Sequence, residues 1–138
     1  MVKYCEEDRC LIDELSHNSD LNSLCEDENY PYTYPIYPIN WALKRAEEPE
    51  KVIGKLIKMG AELNPENQEP PLIFADNNYD FNLLISLGAD PNHQYESYTI
   101  DLFQGKKITP LVEFAYWGCT EKVDLLLKNG GEVKNESL

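Results

Sequence analysis

The chain has 138 residues, 42% of them hydrophobic, and a formal net charge of −13. That supports one packed domain, while no apolar run approaches the ~20 residues that a membrane-crossing helix requires. The charge disfavours direct nucleic-acid binding, since phosphate contacts need a positive surface. The acidic Glu6-Glu7-Asp8 lacks the basic-then-apolar order of a signal peptide, so a single cytoplasmic domain spanning 1–138 is expected.

Residues 1–36 read as a degenerate N-terminal unit followed by a loop. Leu11-Ile12-Asp13-Glu14-Leu15, then Asp20-Leu21 and Leu24, predict short helices near 6–16 and 20–26. Pro31, Pro35 and Pro38 then rule out an interior helix or a central strand. The stretch from 26 to 37 is expected to be extended.

Residues 37–68 form the next unit. Pro38-Ile39-Asn40-Trp41-Ala42-Leu43 opens a helix, because the fixed φ and missing N–H of proline suit a first turn. About two extra residues are placed between the helices, at Ala46-Glu47-Glu48-Pro49-Glu50. A second helix runs through Val52-Ile53-Gly54-Lys55-Leu56-Ile57, and Gly60-Ala61-Glu62-Leu63-Asn64 closes the unit.

Residues 69–107 repeat this plan with changes. Pro71-Leu72-Ile73-Phe74-Ala75 opens, the chain is shortened at 76–80, and Gly88-Ala89-Asp90-Pro91-Asn92 closes. The connection from His93 to Lys107 is long, and its Tyr95, Tyr98, Ile100, Leu102 and Phe103 argue against disorder.

Residues 108–138 are the most regular unit. Thr109 is a suitable N-cap and Pro110 a suitable first helical residue. Gly118 permits a left-handed ending, Thr120 can cap a second helix reaching Lys128, and Gly130 ends that helix. Val123, Leu126 and Leu127 fall on one helical face.

The opening prolines are 33 and then 39 residues apart, at 38, 71 and 110. The closing glycines at 60, 88 and 130 are 28 and then 42 apart. Thr109-Pro110-Leu111, Ala115, Val123, Leu126-Leu127 and Gly130 together resemble the ankyrin repeat, whose pattern runs T-P-L-H-x-A, V-x-x-L-L, G-A. Val112 stands where that pattern has His, and Phe114 stands at its first Ala. The resemblance implies an all-α ankyrin-repeat solenoid of about four helix-turn-helix units with extended finger loops. It also implies that the insertion lengthens one finger hairpin, and that binding uses the fingers and the first helices.

Chemistry is hard to build from these residues. There is no G-x-S-x-G, no H-E-x-x-H and no phosphate-binding glycine loop. The cysteines at 5, 10, 25 and 119 form no C-x-x-C, and His17 and His93 stand apart from them. Metal ligation, a cofactor and catalysis are therefore not expected, and the thiols are expected to be reduced. Glu26-Asp27-Glu28 and Glu47-Glu48 lie on predicted exposed turns, without the pocket that acid–base work requires.

Two aromatic loops flanked by acids remain. One carries Tyr30, Tyr32, Tyr34 and Tyr37; the other carries His93, Tyr95, Glu96, Tyr98, Asp101 and Phe103. Tyrosines bury large area at low entropic cost, and acidic neighbours suit a Lys- or Arg-bearing partner. The ten residues are the expected partner-binding set, whereas Trp41, Phe74, Phe81, Phe114 and Trp117 are expected to be mostly core. The expected function is non-catalytic: a monomeric acidic protein that binds a basic protein and inhibits it by occlusion, as immunity or anti-defence proteins do. The alternative is an adaptor that recruits one protein to another without inhibiting it.

Overall fold

A computed structural model describes residues 20–24, 36–97 and 100–133. These are mostly helical: five α-helices, two short 3-10 segments and one two-stranded antiparallel sheet. The chain divides into two compact units, Met1–Glu62 and Leu63–Leu138.

In the first unit, α1 (Pro38–Arg45) packs against α2 (Pro49–Lys58). Each starts with proline in its first turn. The inner faces are Ile39, Trp41 and Ala42 on α1 and Val52, Ile53 and Leu56 on α2, all buried. Lys44, Arg45 and Lys58 lie in the last turns, against the negative ends of the helix dipoles.

In the second unit, a 3-10 segment (Pro71–Phe74) precedes α3 (Asn78–Ser86). The hairpin strands β1 (Tyr95–Glu96) and β2 (Lys107–Ile108) follow, then α4 (Pro110–Tyr116) and α5 (Thr120–Lys128). α4 packs on α5 and on the 3-10 segment, and α3 packs on α5. The centre of the core is Phe81 of α3 against Phe114 of α4, ring centroids 6.0 Å apart.

Four helices end in the same way. Gly60, Gly88, Gly118 and Gly130 all have positive φ. The N–H of the next residue then reaches back to the carbonyl of Leu56, Leu84, Phe114 or Leu126, at 3.0, 2.9, 2.9 and 2.8 Å. This is the Schellman closure, which satisfies carbonyls that would otherwise lack a partner. All four of those residues are buried, so each closure ends on a core side chain.

Three asparagines add a second recurring device. The Asn22 amide donates to the Gly60 carbonyl at 3.0 Å, and its oxygen accepts the Glu62 N–H at 2.6 Å. Asn64 brackets Gly88 and Asp90 in the same way, at 2.9 and 2.8 Å. Asn92 brackets Gly130 and Glu132, at 3.1 and 2.7 Å. Each asparagine thus holds the loop that follows a later helix.

Several expectations are corrected. Residues 20–24 form a turn, not a helix: Asp20 accepts the Asn22 N–H at 2.8 Å, a side-chain bond that competes with helix. The two extra residues of the 37–68 unit lie within its helices. α1 and α2 have 8 and 10 residues against 7 and 9 in α4 and α5, whereas both linkers have three. The shortening at 76–80 reduces the first helix to the 3-10 segment, and Asn77 caps α3 by accepting the Asp80 N–H at 2.9 Å.

Thr109 sits at the N-cap position, but its hydroxyl makes no capping bond and is buried without a partner. α5 begins at Thr120, so the cap position is Cys119. Only Leu126 of the α5 stripe is fully buried, and Leu127 is 43% exposed. Helical spacing fixes a common face without fixing what covers it.

Candidate interaction surface

The inserted connection does form a hairpin. Tyr95 pairs with Ile108 and Glu96 with Lys107. Because successive strand residues point to opposite faces, Tyr95 and Ile108 turn inward together and both are buried. After Ile100, also buried, a 3-10 turn (Asp101–Phe103) carries Asp101 and Leu102 out to solvent.

The expected contact residues separate accordingly. Tyr30, Tyr32, Tyr34 and Tyr98 lie outside the described residues. Tyr37 is buried immediately before α1, so it is not a surface contact. Tyr95 is likewise corrected from contact to core: it is wholly buried and its hydroxyl donates to Glu113 Oε1 at 2.8 Å. His93 is half-buried. Its Nε2 lies 2.7 Å from the Pro65 carbonyl, which only accepts, so that nitrogen carries the proton. The His93 ring stacks over Tyr95 with centroids 6.3 Å apart.

Glu96 is half-buried and its backbone N–H donates to the Glu66 carbonyl at 2.9 Å. Asp101 is exposed and Phe103 is half-buried. Of the six described residues, Asp101 and Phe103 are best placed to meet a partner.

Phe103 leads to residues that the sequence does not single out. Its ring meets Tyr116 edge-on at 5.9 Å, and Tyr116 meets Trp117 edge-on at 5.0 Å. Tyr116 ends α4 and Trp117 follows it, just before the left-handed Gly118. Trp117 is 54% exposed and the adjoining hairpin residue Leu102 69%. The expectation that Trp117 is core is thus corrected. Leu102, Phe103, Tyr116 and Trp117 form an aromatic and apolar surface shared by the hairpin turn and the end of α4. Asp101 and Glu121 are the acidic residues in the adjoining segments, and Lys106 and Lys107 adjoin on the hairpin side.

Beneath this surface lies a polar cluster. Glu113 of α4 is buried and accepts the Tyr95 hydroxyl. Burial, and then the negative charge of Glu69, push its carboxyl up to about 7, overcoming the opposing effects of Tyr95, Trp117 and Lys122. Glu69 itself accepts the Ser97 hydroxyl at 2.8 Å. Lys122 donates to the Ile73 carbonyl at 3.1 Å and lies over the Phe114 ring.

Among the described residues no group of three or more His, Cys, Asp or Glu side chains could hold a metal ion. No helix there is long and apolar enough to cross a membrane. No protein-family model matches the chain, and a search of curated proteins returns no match.

Proposed function

We propose that this chain is an ankyrin-type repeat protein that works by non-covalent binding of another protein. The recurring Schellman closures and asparagine brackets support the repeat reading, because one local solution is used at each unit end. The observation that carries the binding reading is the Leu102–Phe103–Tyr116–Trp117 surface, in which Leu102, Tyr116 and Trp117 are exposed and Phe103 half-buried. Contiguous exposed aromatics mark contact sites, and Trp and Tyr dominate interface energies. With a net charge of −13, the chain suits a basic partner, drawn in by steering and held by cation–π contact with Trp117. The action we assign is inhibition by occlusion. Tyr30, Tyr32 and Tyr34 stay in the proposal as a second contact region.

The test is affinity capture from the native host, then assay of the captured protein's own activity. A one-to-one complex that silences the partner is expected. Trp117→Ala should weaken it by about 2 kcal/mol or more, with the unfolding midpoint nearly unchanged. A complex indifferent to Trp117→Ala overturns the surface assignment, and a bound but fully active partner points to the adaptor reading.

A further inference from the structure

The last unit follows the plan of the one before it, and their helix closures set the two in register. The N–H groups after Gly88 and Gly130 reach back to Leu84 and Leu126, so Phe81 answers to Val123 and Ile85 to Leu127. Pro71 and Pro110 open the two units, so Ile73 answers to Val112. Ile73 and Phe81 are buried where the last unit meets them: Phe81 lies 6.0 Å from Phe114, and Lys122 donates to the Ile73 carbonyl. Their counterparts Val112 and Val123 are only half-buried, and Leu127 is exposed. We propose that this outer face of α4 and α5, with Val112, Ala115, Val123 and Leu127, binds the same face of a second copy of the chain.

Helical geometry collects these side chains on one face. Phe114, Lys122 and Asn129 face the preceding unit, at Phe81, Ile73 and Asn78. At 3.6 residues per turn, Val112 points about 160° away from Phe114, and Leu127 about 150° away from the side shared by Lys122 and Asn129. Ala115 neighbours Val112 one turn on, and Val123 neighbours Leu127. A terminal unit that meets only water carries a polar outer face, whereas this one keeps the apolar residues of a covered unit. Charge selects the occupant. Residues 63–105 hold seven acidic side chains and no Lys or Arg, whereas residues 106–133 hold four acidic side chains and four Lys. Two copies of so acidic a chain repel each other least where charge balances, at the last unit. Asp124 and Lys128 are exposed one turn apart beside Leu127, opposite charges that a two-fold axis pairs across itself. A like-on-like contact also closes at two copies. α4 and α5 have only 7 and 9 residues, so the contact is small and the dimer transient.

The experiment is sedimentation equilibrium of the free chain from about 10 μM to about 1 mM, a range in which mass action reveals a weak dimer. A monomer–dimer equilibrium is expected. Leu127→Asp and Ala115→Arg should each raise the dissociation constant about tenfold or more. Tyr79→Ser, which removes an exposed aromatic from α3, should leave it unchanged. A chain that stays monomeric, the state expected from the sequence, overturns the dimer. A dimer indifferent to Ala115→Arg overturns the face, and since Ala115 is exposed this variant decides the matter even if Leu127→Asp does not fold. Open-ended assembly beyond two copies would mean head-to-tail stacking and overturns the like-on-like contact equally. No other protein is needed and Leu127 lies outside the aromatic surface, so failure here leaves the Trp117→Ala binding test standing, and the reverse holds too.

Discussion

Glu113→Gln gives the sharpest test of the buried cluster through stability. Folding raises the carboxyl from 4.5 to about 7. Between those values the folded state holds more protons than the unfolded chain. Stability must therefore fall as pH rises through the window and level off above it. At 1.36 kcal/mol per unit, the full effect of the ionised carboxyl is about 3 kcal/mol. Gln keeps the shape and an oxygen for the Tyr95 hydroxyl but cannot ionise. The variant should match the wild type near pH 4.5 and exceed it by up to about 3 kcal/mol at pH 8. Urea unfolding at several pH values would measure this. Taking the difference between the two proteins cancels the other carboxylates to first order. A difference that stays flat with pH, or a variant less stable at pH 8, would refute the reasoning.

Three further outcomes are expected. Asn64→Ala removes both bonds of one bracket and should cost about 1–2 kcal/mol, with faster hydrogen exchange at the Asp90 amide it releases. Leu126→Ala leaves a cavity at a fully buried site and should cost about 2–5 kcal/mol by denaturant unfolding; an unmoved midpoint would contradict the α5 packing. In Gly131→Ala the new Cβ would lie 2.6 Å from Leu126 Cγ, and the clash should cost about 1–3 kcal/mol, although Ala61 and Ala89 occupy the equivalent positions after Gly60 and Gly88.

The helix ends were the most legible part of the sequence. Pro38, Pro71 and Pro110 begin helical segments, and Gly60, Gly88, Gly118 and Gly130 end four of the helices, because each residue does locally what few others can. The hairpin was expected only through the ankyrin resemblance, which makes this connection a finger; its length alone argued for a functional or disordered loop. Burial was not legible. Tyr95 and Trp117 exchange their expected places because a period names a face but not its cover. Tyr95 turns inward as the partner of Ile108, and Trp117 is left at a helix end with more than half its surface open. A signal did exist for the bracket and for the turn at 20–24. Asp20-Leu21-Asn22 recurs as Asp90-Pro91-Asn92, and in both the aspartate accepts the asparagine N–H at 2.8 Å.

The asparagine brackets also separate the fold from the length of its loops. Asn64 reaches a carbonyl 24 residues on, whereas Asn92 makes the same contact across 38. Between those lengths loop closure costs only about 0.4 kcal/mol more. The chain from Asn92 to Gly130 can therefore lengthen, shorten or be replaced at its tip while the ends that matter stay pinned. A lineage could rewrite what this hairpin presents without redesigning the core beneath it, and an engineer grafting a recognition loop would start at the same place.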